Sequence, residues 1–371
     1  EGFRSVFKRI APLVNKYACE IGLSSGYDSR LLFASALHFF NKDFVYVSSN
    51  YKQKPDTDLK IARKLAETAQ KKLTEIPVIS TELMSEEQFE NNLRNAFLFY
   101  DGQIRVNHGW TREYRTLRYR KSVLGEAKVG LSGHGGEMFR NDYNLDSYKF
   151  SYDLWLKNKF IGKAGLKKVK LTNETKALVS YIKNKINLIN GLSSSDNLWN
   201  KRKAHIFYNE IWVPSGPGIR ASIENQLSYY LSPFTDYLIS KHTYNMAPFL
   251  KNASFEKELI SNYCKEVSLV PYEKKGRNKL LPFLYTTLLY RLGIDIHYLI
   301  RKYLKNPDQK SENIISLQSN YPYLQKLFSN PKLEKVIPFE KYMNLSLTEP
   351  ERDRLIAFAF VLFYNNEKIK I

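Results

Sequence analysis

Between residues 18 and 131 the chain alternates short apolar runs with stretches of helical periodicity, which restricts it to few folds. Ala18 to Leu23 is short and apolar and reads as a strand. A turn of small residues follows, and Leu31, Leu32, Ala34, Ser35, Leu37 and His38 then hold helical spacing to about Phe40. Phe44 to Val47 reads as a second strand, and Asp58 to Lys71 as a helix with Ile61, Ala62, Leu65, Ala66 and Ala69 on one face. Leu73 to Ile79 gives a third strand, Ser85 to Phe97 and Tyr114 to Leu124 two more helices, and Lys128 to Leu131 a further strand. Residues 2–17 carry Phe3, Val6, Phe7, Ile10, Leu13 and Val14 at helical spacing, interrupted only by Pro12. Strands alternating with helices predict an α/β fold: a parallel sheet with helices on both faces. Ligands of such sheets sit at the carboxyl ends of the strands. Two unusual turns, 24–29 and 132–136, both follow strands, so they can line one site.

Beyond about residue 150 the strand pattern fades. Segments 174–190, 255–267, 279–305 and 350–366 read as helical and aromatic-rich, and Leu192-Ser193-Ser194-Ser195-Asp196 as a surface loop. The expected division is an α/β domain over 1–150 and a mainly helical region over 151–371 that completes the site. A length of 371 residues suits one large or two ordinary domains. With 43% hydrophobic and 25% charged residues, the chain can build a core, and disorder is excluded as its general state.

No run approaches the roughly 20 apolar residues of a spanning helix; the best, Leu355 to Tyr364, is too short. The sequence opens on Glu1 without a signal-peptide pattern, which fits an N-terminal piece lying outside it or removed. Cys19 and Cys264 stand far apart without CxxC spacing, so neither a disulfide framework nor a cysteine zinc site is expected, and a reducing cytoplasmic setting fits. The six histidines show no metal-ligand spacing. A formal charge of +20 and a pI near 9.6 allow nucleic acid, anionic membrane or acidic glycan as partners. A solvated lysine-rich surface explains the same charge. The basic aromatic stretch Tyr290 to Lys305 likewise reads as an amphipathic helix with a solvated charged side.

The turn Leu23-Ser24-Ser25-Gly26-Tyr27-Asp28-Ser29 has the chemistry of an anion cradle. Small residues after a strand let backbone N–H groups turn toward an anion, the serine hydroxyls add donors, and the next helix begins there with its positive end. Asp28 stands where a carboxylate can hold Mg²⁺ against phosphate oxygens. No Gly-Lys-Ser/Thr follows, so this is not a Walker loop.

This turn resembles the SGGxDS loop of the N-type ATP pyrophosphatases, in the form found in asparagine synthetases and their relatives, with Ser25 at a position usually Gly. The second turn, Leu131-Ser132-Gly133-His134-Gly135-Gly136-Glu137, resembles that family's SG(D/E)G(A/G)DE signature, and Tyr143 matches its closing tyrosine. Three positions depart. Glu137 replaces the metal-binding Asp, His134 an acidic residue that handles the proton of the attacking amine, and Met138 the following Glu. Histidine is a competent base near neutral pH, so His134 can take over that role; a second-shell donor or a plain turn residue are its alternatives. Weaker matches are the helix starting at Asp58, the strand end Val47-Ser48-Ser49 near an adenine, Ser232-Pro233-Phe234-Thr235-Asp236 at an R-x-PFLD segment, and Pro271 to Arg277 at a late Lys-Gly loop. The glutamate usually four residues before that Pro is replaced by Tyr229.

The resemblance, running from about residue 1 to 280, implies an adenine nucleotide alpha hydrolase-like sheet and ATP with Mg²⁺ as cofactors. It implies nucleotide contacts from Leu23, Ser24, Ser25, Gly26, Asp28, Ser29, Val47, Ser48, Gly133 and Gly135, metal ligands Asp28 and Glu137, and catalytic roles for His134 and Lys274 or Lys275. The implied reaction is adenylation of a carboxylate with release of pyrophosphate, then amide formation with ammonia or an amine. Tyr27-Asp28-Ser29-Arg30 is similar to relatives in polysaccharide biosynthesis and so suggests a uronic acid or other acidic glycan. Cys19 lies in the first strand and reads as core, so nitrogen would come from ammonia, an amine, or a glutaminase domain or subunit outside the chain. Two rival functions stay open: an RNA-modifying adenylating enzyme, whose thiolating members need cysteine pairs absent here, and a degenerate nucleotide-fold scaffold.

Overall fold

The computed structural model describes residues 1–50, 57–77, 85–100, 110–125, 128–140, 149–151, separate positions between 177 and 188, 198–200, 207–243 and 253–272. Helix α1 (Gly2–Lys16) runs through Pro12, and Phe3, Val6, Phe7 and Val14 bury its apolar stripe. Strand β1 (Cys19–Gly22) leads to helix α2 (Tyr27–Phe39), followed by β2 (Val45–Asn50), α3 (Thr57–Thr68) and β3 (Leu73–Pro77). After helices α4 (Glu86–Phe99) and α5 (Trp110–Leu124) comes β4 (Val129–Leu131), which runs into a 3₁₀ turn, Gly136–Phe139. Each lies where the periodicity places it. At α4 the start is chemically specified: the Ser85 Oγ accepts the Gln88 amide at 3.2 Å while the Gln88 Oε1 accepts the Ser85 amide at 3.1 Å.

The main sheet has five strands in the order β3-β2-β1-β4-β7, and β1 pairs in parallel with both β2 and β4. The outermost strand, β7 (Tyr229–Leu231), lies in the region that reads as strand-poor, and it joins β4 in parallel with Leu131 opposite Leu231. Three residues are too few to show alternation, and the pairing with β4 rather than any local pattern defines them. A separate antiparallel pair joins β5 (Lys149–Ser151) to β6 (Leu198–Asn200). Helices α6 (Ile219–Glu224), α7 (Tyr237–Ser240), α8 (Ser254–Tyr263) and α9 (Lys265–Leu269) are joined by two π-helical turns, Tyr208–Trp212 and Pro214–Gly218, and a 3₁₀ turn, Pro233–Thr235. The expected helices at 279–305 and 350–366 lie outside the described residues.

The described residues fall into two compact units. One takes those within 1–48, 57–74 and 127–303, and the other those within 49–56, 75–126 and 304–371. The core of the first is an aromatic cluster in which Phe3 meets Phe7, Phe139, Phe234, Phe255 and Tyr263 at centroid distances of 5.6–6.5 Å. Because Phe139 and Phe234 directly follow loops at the ends of β4 and β7, this cluster fixes those loops against α1 and α8. In the second unit α4 packs on α5, with the Phe99 ring tilted against Tyr114 at a centroid distance of 5.3 Å. No helix among the described residues is long and apolar enough to cross a membrane.

Candidate active site

The neighbouring strands β1 and β4 end side by side, so the turns that follow them meet. In the first turn the two serine hydroxyls tie the loop to the start of α2. Ser24 and Ser29 share a hydrogen bond of 2.7 Å between their hydroxyls, and the Ser29 Oγ also accepts the Ser24 amide at 3.2 Å. Leu23 is buried and donates its amide to the Val47 carbonyl at 2.8 Å, which places the buried Val47 and Ser48 beside the turn. The Ser25 amide donates to the Asp58 carboxylate at 2.5 Å, so the first residue pair of α3 holds the loop from the other side.

Glycine is required where the second turn crosses the first. A Cβ at Gly133 would lie 2.8 Å from the backbone carbon of Asp28, and one at Gly136 would lie 2.3 Å from the Asp28 Oδ1. Gly135 adopts φ +89°, in the left-handed region. His134 donates its amide to the Ser132 Oγ at 3.3 Å, and its residue borders a cavity of about 510 Å³ together with Met138, Asn209, Tyr230, Thr235 and Tyr237. The buried Asn209 donates to the Thr243 hydroxyl at 3.2 Å, and its Oδ1 has no hydrogen-bond partner.

At the junction stand two carboxylates. Burial first, and the Asp28 carboxylate second, push the Glu137 pKa above its ordinary value. Its Oε2 is buried without a hydrogen-bond partner. Asp28 is gripped by the guanidinium of Arg140, Nη1 to Oδ1 at 2.8 Å and Nη2 to Oδ2 at 3.0 Å. The same Nη1 lies 3.0 Å from the Glu256 Oε1, and Glu256, on α8, is fully buried. Burial works against the charged Arg140, yet Asp28 and Glu256 more than offset it and raise its pKa. No group of three or more His, Cys, Asp or Glu side chains among the described residues is arranged to hold a metal ion. Two facing carboxylates, one with an orphaned oxygen, nevertheless suit Mg²⁺, which takes one or two protein carboxylates and completes its shell with phosphate and water.

A second clamp joins α2 to the chain after α9. Arg30, the largest of the fully buried side chains, donates to the carbonyls of Val270 at 2.5 Å and Pro271 at 3.1 Å, and lies 3.7 Å over the Tyr272 ring. Tyr27 stacks on Tyr272 at 4.4 Å. Burial is the largest influence on the Arg30 pKa and lowers it. Thus the structure gathers Leu23, Ser24, Ser25, Gly26, Asp28, Ser29, Val47, Ser48, Gly133, His134, Gly135 and Glu137 around the carboxyl ends of the central strands β2, β1 and β4. Lys274 and Lys275 lie outside the described residues, two and three positions past the clamped Tyr272.

Sequence reading missed Arg140, Glu256 and Arg30 as members of this neighbourhood. Arg140 and Glu256 lie 112 and 116 residues from the partners they meet through Arg140, so no local spacing reveals them. Arg30 carried one usable signal, a charge at the buried face of α2.

A parallel sheet with a serine-glycine turn and a carboxylate-bearing glycine turn on adjacent strand ends is an α/β fold of the nucleotide-binding type. The chain belongs to the asparagine synthase family, whose model matches residues 15–243. Its general class is therefore that of ATP-dependent amide-forming synthetases, a kind of ligase. A search of the curated proteins finds no match.

Proposed function

We propose that the chain activates a substrate carboxylate as an acyl-adenylate, releasing pyrophosphate, and transfers the acyl group to ammonia or an amine to leave an amide and AMP. The observation that carries this reading is the pair Asp28 and Glu137 at the meeting point of two turns, one carboxylate oxygen of Glu137 lacking any hydrogen bond. Asp28 and Glu137 hold Mg²⁺ in this reading, and the ion supplies neutralisation of phosphate charge. The amides at the start of α2, which no side chain caps, receive the phosphates beside the Ser24–Gly26 turn. Val47 and Ser48 flank the adenine, and Gly133 and Gly135 keep the second turn close enough to contact the nucleotide.

His134 takes the proton of the attacking amine, and Lys274 or Lys275 contacts phosphate and offsets charge as the intermediate breaks down. Most of the rate gain then comes from holding carboxylate, nucleotide and amine in register, because the acyl group is reactive once adenylated. The cavity at His134 is the site for the acyl substrate. Its hydroxyl-bearing lining (Ser232, Thr235 and Tyr237) supports a hydroxylated acid such as a uronic acid or acidic glycan. The nitrogen comes from ammonia, an amine, or a glutaminase domain or subunit.

Calorimetric titration with α,β-methylene ATP and Mg²⁺ tests the site, with Asp28→Ala as control. Mg²⁺-dependent binding that the variant loses is the expected result. A folded wild type that binds nothing removes the ATP site. A non-catalytic nucleotide-binding scaffold is the second reading, favoured by the Arg140 fork on Asp28 and by the Ser25 amide being engaged with Asp58. Nucleotide binding without AMP formation from any of a panel of uronic and amino acids would establish it.

A further inference from the structure

Arg140 is not part of either turn's anion-binding pattern, yet it makes the closest charged contacts in the site. Its fork covers both oxygens of Asp28, the carboxylate read here as a metal ligand, while Glu256 anchors it from behind. Three carboxylates, Asp28, Glu137 and Glu256, face this one guanidinium. Glu256 is fully buried on α8, where an ionised carboxylate without a cation is costly, and this second contact holds Arg140 at the site independently of Asp28.

We propose that Arg140 competes with the divalent cation for Asp28, so that the metal enters only together with a phosphate-bearing nucleotide. The inference rests on the ATP-site reading above. A bare divalent ion would have to displace the fork and then sit beside the retained guanidinium, two cations sharing one carboxylate. A nucleotide brings the negative charge that compensates both, and Arg140, still seated on Glu256, becomes a cation for the phosphates. Arg140 is thereby a specificity-determining residue for the order of binding, not a group that reacts.

The test is Mn²⁺ titration of the full chain, counting free ion by electron paramagnetic resonance, with and without α,β-methylene ATP. Arg140→Gln is expected to bind Mn²⁺ alone about tenfold tighter than wild type, within the range usual for coupling between neighbouring sites. Its gain in Mn²⁺ affinity on adding the nucleotide should shrink correspondingly. Arg140→Lys keeps the charge and should stay within about threefold of wild type, well inside that tenfold coupling. Because Arg140→Gln strands the buried Glu256, the double variant Arg140→Gln/Glu256→Gln is measured beside it and should show the same tightening. Equal or weaker Mn²⁺ affinity in both folded variants, undetectable binding included, overturns the proposal. If wild type still binds the Mg²⁺ nucleotide in that case, the site reading survives and only the competition fails. Tightening that persists when Asp28→Asn is added overturns the proposal and the metal assignment of Asp28 together.

Discussion

At Glu137, burial and the neighbouring Asp28 carboxylate both disfavour ionisation, and the side chain titrates above its ordinary value of 4.5. A carboxyl whose folded pKa exceeds its unfolded one weakens the fold once pH has risen through the unfolded value, and has no effect below it. Glu137→Gln keeps the shape and removes that charge. The variant should melt above the wild type at neutral pH, and the gap should close as the pH falls toward 4.5 and below. A Tm series across pH on both proteins checks this, and a constant gap would mean that the residue acts by shape alone. Stability forgone at a site of this kind is what a metal ligand would show before its ion binds. Cys19 is shifted in the same direction: it is buried in β1, and burial raises its thiol pKa. Maleimide should label Cys264, which is partly exposed, and leave Cys19 untouched in the native protein; rapid double labelling would contradict the core placement.

Among the elements, α2 does the most to organise the site, because its first turn carries the anion loop and its body is buried almost all round. α8 packs along it, and the Arg30 fork onto the carbonyls of Val270 and Pro271 adds a second attachment just before the expected lysine loop. Arg30→Ala removes two hydrogen bonds and a stacked cation from a fully buried position. A loss of about 3 kcal/mol is expected in denaturant unfolding, with Arg30→Lys recovering part of it because one amine cannot fork both carbonyls. A cost under about 0.5 kcal/mol, the usual size for a surface change, would show that the clamp contributes nothing.

Legibility in the sequence divides along the same line. Helices such as α3, with Leu59, Ala62, Leu65 and Ala66 inward, follow from periodicity, and the two glycine-serine turns follow from composition after strands. β7, the Arg140 fork and the Arg30 clamp do not. Each is defined by a partner more than 90 residues away, and the pairing geometry, not the local pattern, creates it.

On the scale of the whole molecule, the charge of +20 complicates any measurement of nucleotide binding, since a polyphosphate will associate with such a surface without any site. The two modes differ in salt dependence and in where they act. Surface association involves exposed charges and is largely screened at about 0.2 M salt, where the Debye length is below about 8 Å. The site, by contrast, is built from half-buried groups held by the fold: Glu137, the Gly133–Asp28 crossing and Arg140 anchored on the fully buried Glu256. At roughly hundredfold excess over its Kd, Mg²⁺ with α,β-methylene ATP should therefore add about 2.7 kcal/mol at 0.2 M salt, a rise of several degrees in Tm. Asp28→Ala should abolish that rise, and so should Gly133→Ala, whose methyl would drive the second turn off the Asp28 backbone. Hydrogen exchange should slow at amides 23–29 and 132–139 in the wild type under the same conditions. Stabilisation that survives in both variants and fades with salt would instead assign the binding to surface charge, and the site would have to be sought elsewhere on the chain.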